Sequence, residues 1–296
     1  MDVTILGTNG FLSTAFARYC IKKGYPVHMY GRRKPTKHTY DSFQKIDLMK
    51  DDIEVNAIAN SDIIVYTIGA GIQSNLHESN DVIYNLNVTA PVRICNTLKS
   101  CGYKGKFITF GSVFEMGETH EERFFTEEDI QTSLDVAPND YTVSKRMLTR
   151  FIGSYKHEYT HWHFIIPTIF GEGENPKRLI PYTINAIRNG EDLHFTAGNQ
   201  TRQYVYVDEV PKIIDLAYQN NIPSGLYNIQ GKETLTVKEL VTLVHKVLGK
   251  NVPKGCFGTA NRADVGMKFL ALDGSKLKAA IGFEASIRIE DIINKY

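Results

Sequence analysis

Tyr141 and Lys145 stand four residues apart in Tyr141-Thr142-Val143-Ser144-Lys145. On a helix that spacing puts both side chains on one face, roughly 6 Å apart along the axis. An ammonium beside a phenol favours the phenolate, so the spacing predicts a tyrosine pKa drawn down from about 10 toward neutrality. Such a tyrosine can give or take a proton at a carbonyl or alcohol oxygen. Pro138-Asn139-Asp140 just upstream has the composition of a turn and cap, and predicts that a helix opens there. Tyr and Lys also meet at this spacing on many surface helices, so the elements around them decide what the pair does.

Those elements alternate. Val3–Leu6 is a short apolar strand pattern, and Gly7-Thr8-Asn9-Gly10-Phe11-Leu12-Ser13 leads from it into an amphipathic helix. Strand, glycine turn and helix are the setting of a dinucleotide fingerprint. Gly7 permits the tight turn, and Gly10 lets backbone approach a pyrophosphate at the helix N-terminus. The third small position is Ser13, a departure from glycine. Two glycines alone also serve any strand-to-helix turn. A second strand over Pro26–Tyr30 ends at Gly31-Arg32-Arg33-Lys34. An acidic residue there would hold the ribose 2′-hydroxyl of NAD, whereas Arg32 and Arg33 suit the 2′-phosphate of NADP. The cluster can equally be a solvated loop. Gln44–Asp47 is a third strand whose Asp47 can meet the adenine edge. Asp62–Ile68 is a fourth, followed by Gly69-Ala70-Gly71. A helix is predicted over Asp81–Ser100, with Asn87 inside it. Lys106–Phe110 is the fifth strand, and Gly111-Ser112 follows it. Nearly continuous apolar strands separated by helices predict a doubly wound α/β fold with a parallel sheet. Ligands bind outside the carboxyl ends of such strands, where Ser112 lies and where Tyr141 heads the next long helix.

Composition narrows the function classes. The chain has 296 residues, 42% hydrophobic and 23% charged, enough for one large or two small domains. Its net charge of +1 supplies no bulk field for nucleic acid or a membrane surface. No run approaches the length of a membrane span. Cys20, Cys95, Cys101 and Cys256 form no metal-ligand spacing and read as free thiols in a reducing compartment. With strand pattern at the very start and no signal peptide, a cytoplasmic location is expected.

Gly7-x-x-Gly10-Phe11, the strand-end Ser112 and Tyr141-x-x-x-Lys145 together resemble the extended short-chain dehydrogenase/reductases, in the branch of NAD(P)-dependent sugar-nucleotide epimerases, dehydratases and reductases. Gly198–Asp208 is similar to that branch's Gly-x-x-x-x-Arg-Asp-aromatic-x-x-Val-Asp stretch. Asn87 falls on its helix asparagine, and Asp273-Gly274-Ser275-Lys276 with Ile281-Gly282-Phe283 resembles its C-terminal signals. The resemblance implies a Rossmann domain over 1–167 plus a returning segment 203–222. It implies a smaller α+β substrate domain over 168–202 and 223–296, with Tyr227-Asn228-Ile229 in it. It implies cofactor contacts by Gly7, Asn9, Gly10, Phe11, Leu12, Arg32, Arg33, Asp47, Leu48, Ile68, Gly69, Asn87, Tyr141, Lys145 and Pro167. Substrate contacts are implied for Ser112, Thr168, Arg202 and Arg262, and a homodimer through the helices 81–100 and 141–157.

Departures from the family pattern refine the reaction. Dehydratases of this branch carry an Asp-Glu pair directly after the catalytic hydroxyl residue, where this chain has Val113 and Phe114. Water elimination then lacks its acid and base. The expected activity is NADPH-dependent reduction of a nucleotide-linked 4-keto-6-deoxy sugar. In that reaction Ser112 binds the carbonyl oxygen, Tyr141 donates the proton, and Lys145 lowers the tyrosine pKa and holds the nicotinamide ribose. A 4-epimerase with retained NAD(H), or a non-catalytic NAD(P)-binding regulator, are the alternatives.

Overall fold

The computed structural model describes residues 1–72, 77–156, 158–260 and 267–296. Strands β1 (Val3–Leu6), β2 (Val27–Gly31), β3 (Ser42–Lys45), β4 (Ile63–Tyr66), β5 (Lys106–Ser112), β6 (Thr160–Ile166) and β9 (Gly225–Asn228) form one seven-stranded sheet in the order β3-β2-β1-β4-β5-β6-β9. Its pairings are parallel, with Val3 opposite both Val27 and Ile63. β1 and β4 are buried at every residue, as sheets covered on both faces require.

The two-residue period of the strands splits the core. Val3, Ile5, Val27, Met29, Ile108, Phe110, Trp162 and Phe164 face the helices Phe11–Lys22 and Glu209–Gln219, which contribute Phe16, Ala17, Val210 and Ile213. Leu6, Ile64, Tyr66 and Phe107 face the opposite layer, which contributes Leu86, Ile94 and Leu98. The order of strands reverses between β1 and β4, and a ligand crevice opens at such a point.

The helix expected over 81–100 is interrupted. Asn80–Tyr84 runs into a π-helical turn, Asn85–Thr89, before Ala90–Ser100 resumes. Pro91 supplies the reason. Proline has no N–H to give the carbonyl four residues back, that of Asn87, and its ring crowds that carbonyl. A wider turn relieves both.

A smaller sheet is centred on β8 (Thr201–Tyr206). β10 (Glu233–Thr236) pairs with it antiparallel, and β7 (Thr168–Phe170) and β11 (Phe269–Leu270) pair with it parallel. Its core contains Phe170, Ile180, Tyr204, Leu240 and Ile289. The sequence-based placement of two strands is therefore reversed. The segment 203–207 does not return to the large sheet, because β7, β10 and β11 take up both its edges. Tyr227 and Asn228 are instead in β9, whose register puts Gly225 opposite Trp162. The helix Glu209–Gln219 does pack on the large sheet, as expected. No helix among the described residues is long and apolar enough to cross a membrane.

Trp162 is fully buried in β6, and its indole N–H donates to the Ile222 carbonyl at 3.2 Å. Trp162→Ala is expected to cost about 3–5 kcal/mol in urea unfolding, through lost burial and an unfilled cavity. A loss below about 1 kcal/mol would show that β6 is not central to the core.

Candidate active site

β5 ends at Ser112, and the Asn139 side chain caps the facing helix Asp140–Ser154 by accepting from Thr142 N–H at 3.0 Å. The helix thereby brings Tyr141 and Lys145 against the strand end. Ser112, Tyr141 and Lys145 are all buried, at 5%, 8% and 8% exposure. The Ser112 hydroxyl neighbours the Tyr141 phenol and favours its ionised form. The Lys145 ammonium donates to the Phe110 carbonyl at 2.8 Å and lies 5.9 Å from the Tyr141 ring centre.

The electrostatics differ from the sequence expectation. Burial pushes the Tyr141 phenol up to about 12, although the Ser112 hydroxyl and the Arg178 charge pull it down. Burial likewise pulls Lys145 down to about 8, partly offset by the negative charge of Glu115. Desolvation thus outweighs the lysine–tyrosine attraction that the four-residue spacing predicted.

Tyr141, Lys145 and Gly111, the residue before Ser112, line a cleft of about 420 Å³ at the reversal of strand order. Gly10, Phe11 and Leu12 form its floor, Ile68, Gly69 and Asn87 one side, and Tyr141 and Lys145 another. The cleft suits a dinucleotide on two counts. Gly7 has φ +116°, and a Cβ there would come within 2.5 Å of the Thr67 hydroxyl, so the turn requires glycine. The helix Phe11–Lys22 has no side-chain cap at Gly10, which leaves its first amide groups directed at the cleft, as an anion site demands.

Comparison with known proteins settles the family. The model of the NAD dependent epimerase/dehydratase family matches residues 3–229. The chain belongs to the NAD dependent epimerase/dehydratase family. It is 22% identical to the CDP-abequose synthase of Yersinia pseudotuberculosis over 265 residues, covering 86% of this chain and 87% of that protein. It is 23% identical to the low-salt glycan biosynthesis protein Agl12 of Haloferax volcanii, covering 98% and 96%. The fold matches that of the dTDP-glucose 4,6-dehydratase of Bacillus anthracis in complex with NAD, at a TM-score of 0.82 and 18% identity over 100% of this chain and 94% of that one.

Within this family member the other predicted residues separate into groups. Asn87, 1% exposed, has its side chain fully engaged. It donates to the Ala70 carbonyl and the Ser144 hydroxyl and accepts from Ala70 N–H, each at 2.9 Å. It clamps the β4-end loop to the Tyr141 helix. Asn9 donates to the Lys34 carbonyl at 3.0 Å and accepts from the Thr36 amide and hydroxyl, each at 3.2 Å. It ties the glycine turn to the loop of Arg32 and Arg33, which are exposed beyond the end of β2. Asp47 accepts from Met49 N–H at 3.2 Å in a turn, and Leu48 is buried in the core beside the Arg93 guanidinium, outside the cleft lining. Pro167 is buried between β6 and β7, and Thr168 opens β7 opposite Tyr204. Arg202 lies on β8 with its guanidinium 5.9 Å from the Phe114 ring centre, and burial lowers its pKa. Arg262 lies outside the described residues.

Sequence reasoning missed two features. Asn175, Lys177 and Arg178 form the far wall of the cleft. Arg178 is held at 3.1 Å by Glu174, which accepts from the hydroxyl of the last residue, Tyr296, at 2.6 Å. The Glu174/Arg178 spacing of four was a readable signal. The second is Glu115, fully buried one turn beyond Ser112. A glutamate within the apolar run Val113–Met116 was its signal.

Asn87→Leu leaves the Ala70 amide and carbonyl buried without partners. It is expected to cost roughly 2–4 kcal/mol in denaturant unfolding. A change under about 0.5 kcal/mol would mean that Asn87 does not clamp the loop.

Proposed function

We propose that this protein reduces the keto group of a nucleotide-linked 4-keto-6-deoxy sugar, using NADPH. The observation that carries the reading is the buried Ser112 and Tyr141 at the edge of the cleft, with no carboxylate among the described residues that line it. Val113 is buried among Met116, Phe125 and Ile130, and Phe114 lies under the Arg202 guanidinium. A dehydratase needs a proton donor and acceptor at those two positions, so elimination lacks its groups here. The relative named for CDP-abequose synthesis supports a nucleotide-sugar substrate of this kind.

A bound reduced nicotinamide supplies the hydride. Ser112 donates a hydrogen bond to the substrate carbonyl oxygen and orients it toward the phenol. Tyr141, held protonated by burial, donates the proton to that oxygen. Lys145, anchored on the Phe110 carbonyl, replaces the proton charge near the tyrosine and offers its remaining donors to the cofactor ribose. Arg178 and Lys177 on the far wall, with Arg202 beyond Phe114, present cations to the substrate pyrophosphate. Two copies pair through the helices 81–100 and 141–157, as the family resemblance implies.

Purified protein with NADPH and a panel of 4-keto nucleotide sugars should give an alcohol product by mass spectrometry, with reduced nicotinamide absorbance falling one-for-one. Tightly bound NAD, with product formed and no net oxidation of NADPH, would favour a 4-epimerase instead. Tyr141→Phe is expected to lower kcat by about 10²–10⁴-fold while the cofactor still binds. A kcat near that of the native protein would remove Tyr141 from the mechanism. Arg32→Ala with Arg33→Ala should largely abolish a preference for NADPH over NADH. One lost charge-assisted phosphate contact is worth about 1.5–3 kcal/mol, or roughly 10–150-fold in affinity. An unchanged preference would place the 2′-phosphate elsewhere.

A further inference from the structure

The far wall of the cleft carries a guanidinium that is held from behind. Arg178 lines the cleft with Tyr141 and Lys145, and its side chain is 28% exposed. Its Nε stands 3.1 Å from Glu174 Oε1, and the Glu174 side chain is only 2% exposed. The pair therefore has a wet end in the cleft and a dry end behind it. Among the described residues Arg178 has no second carboxylate partner. A guanidinium has five N–H donors, more than one carboxylate oxygen can engage, so donors remain for the cleft. Lys177 beside it is exposed and, among the described residues, paired with no carboxylate.

What holds Glu174 is Tyr296, from a distant part of the chain. The Tyr296 hydroxyl donates to Glu174 Oε2 at 2.6 Å and accepts from Gly171 N–H at 2.7 Å. Its ring packs against the core of the smaller sheet, with Phe170 and Ile180. Gly171 adopts φ +143°, and a Cβ there would come within 2.8 Å of the Tyr206 ring, so the turn that presents this N–H requires glycine. The Glu174 amide closes the same turn on the Gly171 carbonyl at 3.2 Å. Burial, reinforced by the Glu174 charge, pushes the Tyr296 phenol up, so it keeps the proton that it donates. Burial also favours the neutral acid at Glu174, and the Arg178 charge and the Tyr296 hydrogen bond oppose it. Loss of the Tyr296 hydroxyl therefore weakens the charge that holds Arg178.

We propose that Tyr296 and Glu174 are positioning residues that pre-set Arg178 as a clamp for the diphosphate of the substrate. The identity of that anion rests on the nucleotide-sugar reading above. A free arginine samples many rotamers, and a ligand that fixes it loses affinity to the ordering. An arginine already fixed by Glu174 has met that cost on folding, and its planar fork matches two phosphate oxygens at once. The two cations of the wall thereby differ. Arg178 is held and Lys177 is not, so the specific contact falls on Arg178. The two positioning residues touch neither cofactor nor substrate. They act through the guanidinium alone, across the chain Gly171 amide, Tyr296 hydroxyl, Glu174 carboxylate and Arg178.

Calorimetry of the NADPH-loaded protein with CDP, UDP and dTDP tests this, with the tightest of the three as the probe. Tyr296→Phe removes one hydroxyl and keeps the ring. It is expected to weaken the probe by about 3–10-fold, the cost of ordering one long side chain, while NADPH affinity holds. Glu174→Gln should do the same. In an Arg178→Ala background both effects should vanish, because no guanidinium is left to position. An equal loss in both backgrounds would mean that Tyr296 and Glu174 merely stabilise the loop, and would overturn the proposal. Native affinity in both Tyr296→Phe and Glu174→Gln would overturn it too. Either result leaves the nucleotide-sugar reading standing. Arg178→Ala that spares the probe, or weakens NADPH in its place, removes the clamp. A native protein that binds none of the three diphosphates overturns the proposal together with the reading beneath it.

Discussion

Taking an ammonium out of water costs several kcal/mol unless oriented dipoles or an opposite charge replace its hydration shell. Lys145 is 8% exposed, and that cost shapes everything around it. The Phe110 carbonyl takes one of its protons, and burial pulls its pKa down to about 8. The same exclusion of water keeps Tyr141 a phenol, with a pKa pushed up to about 12. A site with these affinities holds its protons at neutral pH. That state suits delivery of a proton to a carbonyl oxygen better than removal of one from an alcohol.

The fold keeps this centre dry and in register. β5 ends at Ser112, and the helix Asp140–Ser154 is fixed against it by the Asn139 cap and by Asn87, which reaches Ser144 from the π-helical turn. Pro91 produces that turn, so one proline on the helix 80–100 helps set the placement of the neighbouring helix Asp140–Ser154. The glycine turn opens onto the same crevice because Gly7 adopts a conformation that leaves no room for a Cβ. Across the cleft, the Tyr296 hydroxyl and Glu174 hold the loop that carries Arg178.

Local chemistry was legible in the sequence, and long-range packing was less so. Val3–Leu6, the glycine turn and the Tyr141/Lys145 spacing announced a parallel sheet and a helix that carries both side chains to the end of β5, because period, turn and cap signals act over a few residues. The assignments of 203–207 to the large sheet and of Tyr227-Asn228-Ile229 to the smaller domain were interchanged. Both segments are short and mix polar with apolar residues, and only their partners, β10 for one and β6 for the other, distinguish them. The tyrosine pKa was expected to fall and instead rises, since spacing reports the neighbouring charge and says nothing of desolvation. Glu115 was passed over. Its place depends on Ser112 N–H and on the glycine at 111 that admits it beside His163, contacts made across β5 and β6.

Isotope transfer addresses the central claim most directly. Reduced cofactor carrying deuterium at the transferable nicotinamide position would be supplied in excess with a nucleotide-linked 4-keto-6-deoxy sugar, and the product analysed by mass spectrometry and NMR. The account predicts one deuterium per product, on the new carbinol carbon, with one cofactor oxidised for each. Product that carries no deuterium while the added cofactor stays reduced would contradict it.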